Sequence, residues 1–283
     1  MLKNIKKLST KNLILTLILL FSTQCFGLNI IFDLGGVLVG TDTSSFANQI
    51  PLKSFLIYLA HFNNPLLIKK RLFQTLANIP SKTTNTFGAS DDNGKPLPNI
   101  MCDWLSGDQT STEIKTQALD FLENNPTFLR PGEKDFLSKI ISLIFTPQDM
   151  AKSCRISQEG LKFVKMCKES GHKLFILSNW DLESSYLAIQ QLPELFDLFD
   201  KNNIVFSGRV GLIKPDPKIY EYILDKYNLD PKECIFFDDQ AINVKSAKKA
   251  GIYSVIHRNG TCIDMIKELN KFTKIIAMQN YAI

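Results

Sequence analysis

The sequence has no Cys-x-x-Cys pair and no cluster of histidine with cysteine, although it carries six cysteines and three histidines. A structural zinc site needs such spacing, so that class is excluded. A strong charge of one sign is also missing. The formal net charge is +5, but Lys3, Lys6, Lys7 and Lys11 lie in residues 1–27 with no acid beside them, and without those four the remainder is +1. A chain so close to neutral offers no general electrostatic attraction for nucleic acid. No internal repeat and no low-complexity tract is found. What is present is a hydrophobic fraction of 45% in 283 residues. That fraction supports a substantial core and excludes global disorder, and the length fits one large or two smaller domains.

The first 27 residues read as a secretory signal peptide. A lysine-rich start precedes the apolar run Leu13–Phe21, and small and polar residues follow. That run is shorter than the roughly 20 residues of a membrane-spanning helix. Cleavage after Cys25 or Gly27 predicts an exported protein, periplasmic or secreted, with no stable membrane span. An uncleaved N-terminal anchor is the alternative. Lipid attachment at Cys25 fits poorly, because Ser22-Thr23-Gln24 precedes it. After cleavage Cys102, Cys154, Cys167, Cys234 and Cys262 remain, so at least one is unpaired and the redox compartment stays open. Cys234 opens an apolar strand and reads as a core residue.

Ile30-Ile31-Phe32-Asp33-Leu34-Gly35-Gly36 is an apolar run that ends in one aspartate before two glycines. It predicts a buried strand that delivers a carboxylate to its C-terminal end, followed by a tight turn. Such an aspartate is a nucleophile, a metal ligand or a plain turn residue. Residues 40–156 then read as a helical insertion. Three- and four-residue apolar spacing marks helices over Phe46–Ile50, Leu52–Phe62, Leu66–Leu76, Met101–Leu105, Thr112–Leu122 and Pro131–Ile144, with Ser111 or Thr112 capping the fifth. Residues 80–99 read as an exposed loop. From about 157 the pattern alternates. Helices are expected over Gln158–Ser170, Leu182–Gln191, Lys218–Tyr227 and Ile242–Ala250. Strands are expected over Lys173–Leu177, Asn203–Phe206, Cys234–Phe237 and Tyr253–Ile256. Alternation of this kind predicts an α/β fold with a mostly parallel, doubly wound sheet. Phe272–Ile283 reads as a last strand or a tail.

A parallel sheet of this kind gathers its strand C-termini on one edge, where ligands bind. Asp33, Ser178-Asn179 and Asp238-Asp239 all fall there, and Lys214 stands in the connection before a helix. Three carboxylates, a hydroxyl and an amine suit a phosphate held with a hard cation. Carboxylate oxygens match Mg²⁺, the hydroxyl and ammonium match phosphoryl oxygens, and one carboxylate remains to attack phosphorus. Taken singly, a lysine before Pro-Asp-Pro is an ordinary loop residue and Ser-Asn an ordinary helix cap. Adjacent buried aspartates are harder to explain without a counter-ion.

Phe-Asp33-Leu-Gly-Gly-Val-Leu, Leu-Ser178-Asn179, Lys214-Pro-Asp-Pro and Phe-Phe-Asp238-Asp239 resemble, in order, the four motifs of the haloacid dehalogenase superfamily. The look is nearest to its α-glucose-1-phosphate phosphatase branch. The resemblance implies a Rossmann-like core, residues 28–39 and 157–283, with residues 40–156 inserted as a helical cap. It implies a Mg²⁺-dependent phosphatase of a small phosphorylated metabolite of sugar-phosphate type, working through an aspartyl-phosphate. Asp33 is then nucleophile and metal ligand, and Gly35 offers a backbone carbonyl to the metal. Ser178, Asn179 and Lys214 hold the phosphoryl group. Asp239 is the main further ligand with Asp238 beside it, and Asn243 acts through a metal-bound water.

One position departs from the pattern. Many phosphatases of this family carry an aspartate, as general acid, where this chain has Gly35. Losing such an acid typically costs about 10²–10⁴-fold in rate. The gap points to substrates with better leaving groups, to a substitute such as Asp42 or Asp181, or to feeble catalysis. Two rival functions follow: a catalytically weak, secreted binding or effector protein on the same fold, and a metal-independent 2-haloacid dehalogenase. Asp103, Trp104 and Trp180 are candidates to face a ligand, although Trp104 reads first as a core residue of a cap helix.

Overall fold

The computed structural model describes residues 27–42, 44, 48–91 and 93–280. The expected signal peptide, Cys25 included, lies outside these residues save for Gly27. Of the helix expected over Phe46–Ile50, residues 46 and 47 also lie outside them, and residues 48–50 form a turn and not a helix. Five strands form one sheet: β1 (Asn29–Phe32), β4 (Lys173–Ser178), β5 (Ile204–Phe206), β6 (Cys234–Asp238) and β7 (Tyr253–Ile256), in the order β5-β4-β1-β6-β7. Every pairing in it is parallel. β1 is central and buried throughout, as a strand covered on both faces should be. Burying each of Ile30, Ile31 and Phe32 contributes roughly 1.5–3 kcal/mol.

The two-residue period of the strands splits the sheet's side chains between two cores. Ile30, Phe32, Ile176, Ile235 and Phe237 pack on the helices Gln158–Glu169 and Cys262–Asn280 through Phe163, Val164, Met265 and Leu269. Ile31, Phe175, Leu177 and Phe236 pack on the opposite face against Ile219, Tyr220 and Ile223 of the helix Pro217–Tyr227. Phe32 and Phe237 stack at 5.8 Å, with Phe163 edge-on to both. This lock joins the two strands whose ends carry Asp33 and Asp238.

Residues 52–153 hold the helices Leu52–Ala60, Ile68–Leu76, Asn99–Ser106, Ser111–Asn124, Glu133–Ile144 and Pro147–Ser153. All but the first of them share a core of their own built from Leu72, Leu76, Ile100, Ile114, Leu137 and Ile141, among others. This stretch meets the sheet closely. Ser207 Oγ donates to the Leu105 carbonyl at 2.6 Å, and a Cβ on Gly107 (φ +81) would lie 2.5 Å from the Gly208 carbonyl.

Three expectations are corrected. The insertion is not wholly helical, because β2 (Val39–Thr41) and β3 (Cys154–Ile156) pair antiparallel where the chain leaves and re-enters the core. The cap of Ser111–Asn124 is Thr110, not Ser111 or Thr112. Its hydroxyl accepts from the Glu113 N–H while Glu113 reaches back to the Thr110 N–H. Phe272–Asn280 is neither strand nor tail but the end of a long helix, with Phe272 buried. Among the described residues the five cysteines are unpaired, and Cys234 is a core residue as expected. No helix of the described residues is long and apolar enough to cross a membrane.

Candidate active site

β6 and β4 flank β1, so Asp33, Ser178 and Asp238-Asp239 emerge side by side at one edge of the sheet. The ladder reaches as far as Asp33, whose N–H donates to the Phe237 carbonyl at 2.9 Å. The chain then turns at once. The Leu34 carbonyl accepts from the N–H groups of Val37, Leu38 and Val39, and buried Leu34, Val37 and Leu38 anchor the turn. Gly36 takes φ +69, and a Cβ there would lie 2.8 Å from Asp239 Oδ2. Only glycine lets the turn and Asp239 come this close.

Lys214 is fully buried. Its Nζ lies 2.9 Å from Asp33 Oδ1 and 2.6 Å from Asp238 Oδ2. Burial works to lower the lysine's pKa, but Asp238 and Asp33 outweigh it and hold the ammonium above its ordinary 10.5. Burial pushes the Asp33 carboxyl above its ordinary 3.8. Lys214 and a hydrogen bond with Ser178 pull against that, and Asp238 adds to it.

Asn179, expected to bind substrate, clamps the lysine. Its Nδ2 donates to the Lys214 carbonyl and its Oδ1 accepts the Lys214 N–H, both at 2.8 Å. Asp238 is likewise committed to the protein. Besides Lys214 it accepts from the Gln240 N–H at 2.8 Å and from Asn243 Nδ2 at 3.0 Å. It is thus the lysine's counter-ion as well as a member of the acidic set expected beside Asp239. Asn243 holds Asp238, and its Oδ1 is buried without a partner among the described residues. Oxygens of Asp33, Asp238 and Asp239 still lie within 4.8 Å of one another.

The side chains weighed as substitute acids are engaged elsewhere. Asp181 caps the helix Leu182–Gln191, accepting from the N–H and hydroxyl of Ser184. Asp42 pairs with Arg155 at 3.0 Å. At Gly35 there is room, since an added Cβ would meet nothing nearer than Asp33 Oδ2 at 4.0 Å. Asp103 is fully buried and accepts from the N–H groups of Lys82 and Thr83 and from Gln109 Nε2, so it ties down the 80–99 loop and faces no ligand. Trp180 packs on the core and donates to Ser184 Oγ at 2.8 Å.

Sequence reasoning missed the space above this site. A cavity of about 520 Å³ is walled by Leu72, Phe73, Met101, Trp104, Ile140 and Ile144, with Leu97 and Asp91 of the 80–99 loop also on it. On the core side it is closed by Asn179 and Gln240, the residues next to Ser178 and Asp239. Its walls come from segments far apart in sequence, and their helical spacing reads as ordinary core. Gly36 and Gln240 were missed as well, although the Gly-Gly pair after Asp33 was a visible signal for the first.

Comparison with known proteins places this geometry in a family. The bifunctional epoxide hydrolase 2 of Rattus norvegicus is 32% identical over 136 residues, 47% of this chain and 24% of that protein. The phosphorylated carbohydrates phosphatase of Thermotoga maritima is 33% identical over 103 residues, 35% of this chain and 45% of that protein. The chain thus spans less than half the length of either. A solved structure described as a predicted HAD-like family hydrolase from Porphyromonas gingivalis shares the fold. Its TM-score is 0.51 at 22% identity, covering 85% of this chain and 96% of that one. The haloacid dehalogenase-like hydrolase family matches residues 29–251, more than half of the sequence. With its parallel sheet and its acidic strand edge, the chain belongs to the haloacid dehalogenase-like hydrolases.

Proposed function

We propose that this hydrolase is a Mg²⁺-dependent phosphatase that removes phosphate from a small organic phosphate through an aspartyl-phosphate at Asp33. The observation that carries this reading is the buried Asp33–Lys214–Asp238 chain at 2.9 and 2.6 Å, with Asp239 alongside. Oxygens of three buried carboxylates lie within 4.8 Å of one another, a concentration of negative charge that suits a cation. The donors are all hard oxygens, which fits Mg²⁺, and the unpartnered Asn243 Oδ1 adds a further acceptor beside the set. Asp33, Asp239 and the Gly35 carbonyl would hold the ion. Bound there, it supplies positive charge that lets a dianionic phosphate approach a carboxylate.

The chain's own residues then divide the work. Lys214 favours the charged form of Asp33 and offers its ammonium to a phosphoryl oxygen, while Asn179 and Asp238 fix the lysine's position. Ser178 donates to a second phosphoryl oxygen. An Asp33 oxygen forms a bond to phosphorus as the bond to the leaving oxygen breaks, and water later cleaves the acyl phosphate to release inorganic phosphate. The helical stretch 40–156 acts as the cap over this edge. The lysine- and leucine-rich start of the chain supports export. Phosphate release from phenyl phosphate should require Mg²⁺ and stop with EDTA. Chloride release from a 2-haloacid in EDTA, without phosphatase activity, would assign the dehalogenase reaction instead.

A further inference from the structure

We infer that the substrate is a phosphate carried by a good leaving oxygen, an aryl or acyl phosphate, on a body that is long and apolar rather than a sugar. The inference rests on the phosphatase reading above and on two independent features of the chain.

The first feature is the cavity. Its walls are Ile68, Leu72, Phe73, Leu76, Trp104 and other apolar side chains of the helical stretch. The polar groups on it are largely engaged with one another. Lys69 and Asp91 pair at 2.7 Å, the Trp104 indole N–H donates to Ser111 Oγ at 3.0 Å, and the Asn179 amide is spent on Lys214. A sugar entering this space loses water from several hydroxyls and gains few partners, at roughly 1–3 kcal/mol for each group left unpaired. An alkyl or aryl body gains from the same walls. Asn179 and Gln240 line the cavity and adjoin Ser178 and Asp239 in the chain, so the ester body of a phosphate at Asp33 would enter the cavity from that side.

The second feature is the missing acid. Gly35 provides no proton, and Asp42 and Asp181 are held by Arg155 and Ser184. A phenolate or carboxylate departs without protonation; an alkoxide does not.

The test is a series of 4-alkylphenyl phosphates, from methyl to octyl, kept below micelle formation. Leaving-group basicity stays constant along it. kcat/KM should rise about fourfold per added methylene until the cavity is filled. An n-alkyl phosphate of matching length should inhibit competitively yet turn over at least about 10²-fold more slowly. Met101→Lys, with Ile144→Asn as a second variant in case the first misfolds, should flatten the chain-length dependence. Binding of octyl phosphate to Asp33→Asn, followed by the fluorescence of Trp104 on the cavity wall, gives a readout that needs no turnover. A flat series in an enzyme that hydrolyses phenyl phosphate, or glucose 1-phosphate preferred over octylphenyl phosphate, overturns this inference and leaves the phosphatase reading intact. No Mg²⁺-dependent hydrolysis of any member overturns the phosphatase reading itself.

Discussion

Gly35 is the residue on which the chemistry of this site turns. Its neighbour Gly36 is fixed by a positive φ and by Asp239 at 2.8 Å from any Cβ, but position 35 carries no such constraint. A Cβ at position 35 would meet nothing nearer than Asp33 Oδ2 at 4.0 Å. Gly35→Asp should therefore raise kcat on an n-alkyl phosphate, whose leaving oxygen needs a proton, by about 10²-fold. Turnover of 4-nitrophenyl phosphate, whose leaving group needs none, should stay within a few-fold. Steady-state kinetics on the two substrates check this, and equal gains on both would contradict it. The adjacent pair Asp238-Asp239 divides its contacts, Asp238 being the last residue of β6 and Asp239 the first beyond it. Asp238 turns to Lys214, Gln240 and Asn243, while Asp239 comes against the turn at Gly36.

At the scale of elements, the cavity depends on how the helices Ile68–Leu76 and Glu133–Ile144 are joined. Arg71 makes a bidentate pair with Glu133, both bonds at 2.7 Å, and its Nη2 also donates to the Phe128 carbonyl. Leu72 and Phe73, the next residues on that helix, are cavity walls. Burial works to raise the Glu133 pKa, but Arg71 and the Arg130 N–H outweigh it and hold it below its ordinary 4.5. A carboxylate with a depressed pKa stabilises the fold fully above its unfolded value, and that contribution is lost as pH falls through the folded one. Glu133→Gln strands the buried Arg71 charge and should cost about 3 kcal/mol at neutral pH. Urea unfolding at neutral pH and at pH below 4.5 tests both parts, because the gap between wild type and variant should close in acid as Glu133 itself protonates. A gap independent of pH would contradict the pairing. β2 and β3, three residues each, show why some elements were not legible: neither is long enough to display an alternating pattern. In Thr110-Ser111-Thr112 three hydroxyl residues compete as caps, and only Thr110 stands three before Glu113.

For the molecule as a whole, the parallel sheet was legible because its strands are apolar runs that end in polar residues. The site was legible because those ends are where a parallel sheet gathers its chemistry. Asp33, Ser178, Lys214, Asp238 and Asp239 do come together as their positions implied. The division of labour among them was not legible, since it depends on which carboxylate faces Lys214 and on which atoms of Asn179 and Asn243 are already taken. Nor was the cavity, which exists only once Leu72, Trp104, Ile144 and the 80–99 loop surround it. The central claim is that Asp33 accepts the phosphoryl group. It is tested most directly by quenching the enzyme during turnover of phenyl phosphate with Mg²⁺, reducing with borohydride and mapping peptides by mass. The account predicts homoserine at position 33 only when substrate and Mg²⁺ are both present, and no turnover in Asp33→Asn. Phosphate release with position 33 still aspartate after trapping, or wild-type turnover in Asp33→Asn, would contradict it.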